Sequence, residues 1–307
     1  MQLIKATPHG DKLKSLASNP KLPESDKERV TVAVTKYNEW IKCLNKVPTK
    51  EDTLLSELIK QLNEYKKYIE LDFIFDSESD FLYRQKGQLK LDNTILEEFL
   101  PYLFNDRLVP GLVRIKNLSC GPQESFAGLS FASPFIPLKS GGVFLKLKDQ
   151  DFAISKSHNI SITDGVAPED TFSTSFVVSH FASEIKANLD KTMFQEASQT
   201  AAELKRAVPG ARYILLCEFL DMTPITTKLT SIDEVIVLRK AKRIPSNIRA
   251  KFSSANDRKK MRSYYADFLS KNILQIDCFQ RFVWHLNDYF PGKEEDAEDI
   301  VLDRGYF

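Results

Sequence analysis

Between Thr171 and Leu220 the hydrophobic period changes twice, and this constrains the fold more than any other feature of the chain. TFSTSFVVSHFASEIKANL reads as a long β segment. Residues 191 to 208 then set Phe194, Ala197, Ala201, Leu204 and Val208 along one side of a helix, which Pro209 and Gly210 stop. RYILLCEFL follows as an apolar run of buried-strand length, and EVIVL (234 to 238) is a further candidate strand. A long strand, an amphipathic helix and a buried strand in succession call for an α/β or α+β class, with a mixed sheet flanked by helices.

The flanks support this reading. Residues 1 to 23 are polar, carry Pro8, Pro20 and Pro23, and read as a loose arm. From Glu24 to Leu71 the spacing is helical: Val30, Val34, Tyr37, Ile41 and Leu44, then Leu55, Leu58, Leu62 and Tyr65, with an N-cap region at Thr49 to Asp52. DNTILEEFLPYLF predicts another helix, capped by Asp92 or Asn93. Residues 117 to 142 are broken by Gly121, Pro122, Gly128, Pro134, Pro137, Gly141 and Gly142, and read as loop or irregular β structure. GVFLKLKDQDFAISKSHNISI shows short alternating runs, and two helices are expected after Pro245, in NDRKKMRSYYADFLSKNIL and DCFQRFVWHLNDYF. The expected division is an N-terminal helical region (1–90), a sheet-bearing core (91–240) and a basic, helical C-terminal segment (241–307).

Composition mainly excludes. With 42% hydrophobic and 28% charged residues, the chain has ample material for a core, and a net charge of +1 names no partner in bulk. Cys43, Cys120, Cys217 and Cys278 lie far apart, with no His at ligand spacing, so neither structural zinc nor a disulfide framework is expected. The start of the sequence lacks an apolar signal core, and no apolar run approaches the roughly 18 to 20 residues of a membrane span. A soluble chain in a reducing cytoplasm is the expectation.

In a strand, side chains alternate. Phe176, Val178, His180, Ala182, Glu184, Lys186 and Asn188 share one face, and Phe181, Ile185 and Leu189 take the other. The first face turns polar only at its end, where Glu184, Lys186 and Asn188 emerge together. A carboxylate beside an ammonium at a strand end suits a hard cation and an oriented water, the functions that phosphodiester hydrolysis requires. The bland alternative is a surface ion pair worth roughly 0 to 1 kcal/mol. The same spacing at Glu64-Lys66, Glu203-Lys205 and Asp257-Lys259 falls in helices and reads as solvated charge. A cation needs a second carboxylate, and Asp151, 33 positions before Glu184, opens the short run FAIS. Asp170 is the rival; a turn Asp is the ordinary reading of either.

An Asp at one strand, Glu-x-Lys on the next, then a helix and a strand resemble the PD-(D/E)xK nuclease core. The stretch EIKANLDKTMFQEASQTAAELKRAVPGARYILLCEFLDMTPI (184 to 225) further resembles subunits of the Bpu10I/BbvCI family of type II restriction endonucleases. FLYRQKGQLKLDNTILEEFLPYL and IDEVIVLRKAKRIPSNIRAKF fit that resemblance, which spans about residues 80 to 250. It implies Mg²⁺-dependent cleavage of double-stranded DNA at a short asymmetric site, by two different but related subunits that each cut one strand. It implies Asp151 and Glu184 as catalytic metal ligands and Lys186 as the catalytic group that positions water. Gln150 stands where the family pattern has Pro before the Asp. Glu97 or Glu98 is a possible extra carboxylate beside the ordinary reading of an exposed helix acid. The other readings are a repair or mobile-element nuclease of looser specificity and a non-catalytic DNA-binding protein.

RKAKRIPSNIRAKFSSANDRKKMR (239 to 262) holds ten Lys or Arg against Asp257 alone. That excess reads as a DNA-contacting surface or as a solvated face. Arg239, Lys240, Lys242, Arg243, Arg249 and Lys251 are its candidate DNA contacts, and Lys191, at a helix start, is a candidate phosphate contact. Gln195 and Glu196 on that helix face the site or pack. His9, His158, His180 and His285 form no general-base pair, and Tyr264, Tyr265 and Phe268 read as helix core or interface.

Overall fold

The computed structural model describes residues 2–3, 6–46, 51–131, 142–163, 171–291, 301–303 and 305. Asp170, the Thr49 cap, the span 132–141 of the expected loop, and residues 1, 4 and 5 of the expected arm lie outside the described residues.

Among the described residues six strands form one sheet in the order β1-β2-β3-β4-β5-β6: β1 (Gln2–Leu3), β2 (Leu118–Phe131), β3 (Val143–Thr163), β4 (Thr171–Leu189), β5 (Arg212–Leu220) and β6 (Glu234–Lys242). The sheet is mixed, as expected. β2–β3–β4 is antiparallel, while β1 pairs with β2, and β5 and β6 extend β4, in parallel. The helices are α1 (Pro8–Ala17), α2 (Glu24–Asn45), α3 (Glu51–Lys67), α4 (Asp80–Gln88), α5 (Asn93–Phe99), α6 (Lys191–Ala207), α7 (Ser246–Arg249), α8 (Ala255–Lys271) and α9 (Ile276–Tyr289). α3 runs on as a π-helix, Tyr68–Phe75.

Why β5 is apolar on both sides is now plain. Ile214 and Leu216 face a core shared with α1–α3, α5 and α9, whereas Tyr213, Leu215 and Cys217 face a second core closed by Phe194, Ala197, Ala201 and Leu204 of α6. A strand covered on both faces gains from apolar side chains at every position. The first core runs from Leu13 to Phe290, so the N-terminal helices and α9 pack on the same face of the sheet.

The segment after residue 117, expected as loop or irregular β structure, is irregular β structure as far as Phe131: register shifts at Gly121/Gln123 and Phe126/Gly128 let glycine-bearing bulges sit inside a continuous ladder. Two expectations need correction. The supposed loose arm contains α1, whose His9, Leu13 and Leu16 are buried. Its first turn is tied down by Glu98, which accepts the His9 and Gly10 N–H groups at 3.0 and 3.1 Å. And Lys66, read as a solvated charge, is 1% exposed.

Lys66 belongs to a buried four-charge cluster. Its ammonium meets Glu218 on β5 at 2.5 Å and Glu70 in the π-helix at 3.2 Å. The Arg239 guanidinium on β6 closes the ring, at 2.9 Å from both Glu218 and Glu70, and donates to the Asn272 carbonyl at 2.8 Å. Burial alone would raise the Glu70 pKa, but Arg239 and Lys66 reverse that and hold it below the usual range. Two cations against two anions leave no net buried charge, and the cluster fastens α3 to β5, β6 and the end of α8. Removing one member of such a cluster strands its partners, a cost of roughly 3 to 5 kcal/mol. Arg239→Met is therefore expected to lower unfolding free energy by about that amount in urea titrations; a change under about 1 kcal/mol contradicts this description of the cluster.

Candidate active site

β3 and β4 stay paired as far as Phe152 and Ser183 and part beyond that point. The two main-chain groups of Ile185 that face the gap therefore lack a strand partner. Side chains supply both: the Asp151 carboxylate accepts the Ile185 N–H at 2.7 Å, and the Asn93 amide on α5 donates to the Ile185 carbonyl at 3.1 Å. Buried backbone groups must find partners, so the sequence places Asp151 and Asn93 where the ladder opens.

Strand alternation sends the Ile185 side chain into the core and turns Glu184 and Lys186 toward the opening. Glu184 uses both oxygens: Oε1 meets the Lys186 ammonium at 2.7 Å, and Oε2 accepts the Tyr213 hydroxyl at 2.6 Å. Burial alone would lower the Lys186 pKa, but its hydrogen bond to Glu184 and the charges of Glu184, Asp151 and Glu196 raise it. Burial, and secondarily Glu184, raises the Asp151 pKa against the Ile185 N–H, Lys186 and Lys90. The structure thus brings Asp151, Glu184 and Lys186 together.

Glu97 joins them. Burial first and the Asp151 charge second push its carboxyl up to about 7, and Asn93 donates to its Oε1 at 3.1 Å. Glu98 points elsewhere, to α1 and the Tyr37 hydroxyl. Neither is the exposed helix acid of the ordinary reading. Asn93 Oδ1 is buried beside this group with no hydrogen-bond partner among the described residues. The donors are all hard oxygens, the set that suits Mg²⁺ or Ca²⁺ rather than a thiolate-loving metal. Among the described residues no three His, Cys, Asp or Glu side chains close a metal site by themselves. Asp151 and Glu184 fit a cation that completes its shell with water and substrate oxygens, as Mg²⁺ commonly does.

A cleft of about 900 Å³ opens on these side chains. Of the expected DNA contacts, Arg243 and Arg249 line it. Arg243 also pairs with Asp221 at 2.8 Å, and Arg249 donates to the Ile244 carbonyl. Lys191, Lys242 and Lys251 are exposed, and Lys240 is paired with Asp277. Arg239 is 4% exposed and its guanidinium serves the buried cluster, so it does not present to a ligand. Arg258 is likewise buried, bonded to the Phe75, Phe252, Ser77 and Ser79 carbonyls. Gln195 and Glu196 are exposed on α6, and Tyr265 packs in a core while Tyr264 is exposed. Asn93 and Tyr213 went unnoticed in the sequence: Asn93 read as a helix cap, and the one signal at Tyr213 is a hydroxyl within an apolar strand.

The sequence profile of the Bpu10I restriction endonuclease matches residues 88–307. The chain belongs to that family. The match takes in Glu97, Asp151, Glu184 and Lys186, and family membership makes it a nuclease of the restriction endonuclease class. Restriction endonucleases of this kind generally work with a divalent metal. A solved structure described as the native BbvCI A2B2 tetramer at low resolution is 19% identical, with 87% of this chain and 98% of that chain covered at a TM-score of 0.47. No curated protein matches significantly. No described helix is long and apolar enough to cross a membrane.

The raised Glu97 pKa carries a sign for stability. The folded value of about 7 exceeds the ordinary 4.5 of a glutamate, so the protonated form favours folding, and this contribution fades as pH rises through about 7. Glu97→Gln is expected to raise the Tm relative to the parent at pH 8 in EDTA and to change it little at pH 5. A lower Tm for the variant at pH 8 contradicts the assignment.

Proposed function

We propose that this chain is one subunit of a type II restriction endonuclease of the bacterial cytoplasm, hydrolysing DNA phosphodiester bonds with Mg²⁺ at Asp151 and Glu184. The observation that carries the reading is the convergence of Asp151, Glu184 and Lys186 on one cleft in a member of a restriction endonuclease family. A bound Mg²⁺ supplies a Lewis acid that polarises the scissile phosphate and acidifies water.

The chain's own residues do the rest. Asp151 and Glu184 present carboxylate oxygens from two diverging strands, and the Ile185 N–H holds Asp151 in place. Tyr213 orients Glu184 from the neighbouring strand. Lys186 offers an ammonium that holds the attacking water by hydrogen bonding and offsets charge building on the phosphate. Attack on phosphorus breaks the bond to the 3′ oxygen, leaving a 5′-phosphate and a 3′-hydroxyl. Arg243 and Arg249 in the cleft, with Lys191, Lys240, Lys242 and Lys251 outside it, supply phosphate contacts that position the duplex.

We also propose a homologous second subunit. A two-fold homodimer presents identical surfaces to both half-sites and so reads palindromes. An asymmetric site requires two non-identical reading surfaces, with one strand cut by each.

Glu184→Ala and Lys186→Ala are each expected to slow plasmid cleavage in Mg²⁺ at least about a hundredfold, while duplex binding in Ca²⁺ stays within about threefold. Retained cleavage by a folded variant, or binding lost together with cleavage, contradicts the assigned roles. The purified chain alone is expected to nick plasmid or cut it poorly, and to produce discrete fragments with its partner. Efficient double-strand cutting by the single chain contradicts the heterodimer.

A further inference from the structure

Helix α4 ends in an unusual way. The Leu91 N–H returns to the Lys86 carbonyl at 3.3 Å, the long-range bond of a Schellman stop, and Lys90 between them has φ +51°. That left-handed position is normally given to glycine, which adopts it without a Cβ clash. Here a glycine sits three residues earlier, at Gly87, and the strained position carries a lysine. Packing does not repay the strain, because the Lys90 side chain is exposed.

Three observations say what the side chain does there. Lys90 lines the same cleft as Asp151, Glu184 and Lys186. It has no carboxylate within ion-pair distance among the described residues, whereas Lys86, one turn earlier, is held by Asp92 at 3.2 Å. Its main chain is fixed as well: the carbonyl accepts the Thr94 N–H and hydroxyl, both at 3.1 Å, which starts α5, the helix that carries Asn93 and Glu97. A free ammonium on a backbone pinned at both sides, beside a carboxylate pair, is a preorganised anion contact.

We propose that Lys90 binds a backbone phosphate of the DNA strand lying in the cleft next to Asp151 and Glu184, from the α4–α5 turn rather than from the basic segment after β6. This rests on the nuclease reading and adds to it a phosphate contact outside the 239–262 run. The strained backbone is retained because glycine, which would end the helix at lower cost, has no cation to offer.

The test uses the full-length chain, a plasmid-derived duplex, Ca²⁺ for binding at several KCl concentrations and Mg²⁺ for cleavage. Lys90→Gly is expected to keep or raise the Tm by about 1–2 °C. It is expected to bind about tenfold more weakly near 0.1 M salt, with a salt slope shallower by about one. Lys90→Asn, also tolerated at positive φ, should match it in binding, and Lys90→Arg should stay within about twofold of the parent. Asn117→Gly, at φ +62° and away from the cleft, serves as the backbone control and leaves binding and cleavage unchanged. Parental affinity and salt slope in Lys90→Gly and Lys90→Asn, with cleavage intact, overturn the Lys90 assignment alone. A parent chain that neither binds nor cuts duplex overturns the nuclease reading and this one together.

Discussion

The structure turns on a gap in a β-ladder. Past Phe152 and Ser183 the two central strands separate, and Ile185 keeps its main-chain hydrogen bonds only because Asp151 and Asn93 reach across. Closing the ladder would satisfy Ile185 more simply and would leave no room for chemistry. Opening it creates a cleft whose edge is formed by the residues that repair the backbone. The same side chain, Asp151, thus completes the fold at this point and presents a carboxylate beside Glu184.

Charge is used in two separate ways around that gap. Deep in the protein, Lys66, Glu70, Glu218 and Arg239 neutralise one another and lock helix to sheet. At the opening the balance is left incomplete: Asp151 and Glu184 face the Lys186 ammonium, with Glu97 beside Asp151 and Lys90 near both of those acids. The raised pKa values of Asp151 and Glu97 follow from burial first and from the neighbouring carboxylate second, the condition that a divalent cation relieves. The buried cluster can be rigid because its charges cancel; those at the opening do not.

Much of this was legible in the sequence, and the boundary of legibility is physical. β4, α6 and β5 emerge at their observed positions because local side-chain periodicity determines them: alternation, then a helical stripe ended by Pro209-Gly210, then an apolar run. The faces of Glu184 and Lys186 follow from the same alternation. For β2 the choice between loop and irregular β structure stayed open, because glycine counts against a strand locally while bulges that accommodate it depend on the partner strand. Lys66 looked like a solvated charge, and Arg239 and Arg258 like members of a DNA-contacting or solvated run, because burial of a charge requires partners far away in sequence, such as Glu218 for Lys66. Asn93 was read as one of two candidate helix caps, a place the structure gives to Asp92, and not as a bridge, since its target, the Ile185 carbonyl, lies 92 positions away.

The central claim is that Asp151 and Glu184 together hold a divalent cation beside Lys186. Anomalous scattering from crystals of the full-length chain soaked in Mn²⁺ tests it most directly. A manganese peak within coordination distance of both carboxylates, absent in Asp151→Asn, is the predicted result. A parent crystal in which manganese binds elsewhere and the Glu184–Lys186 ion pair stays intact would contradict it.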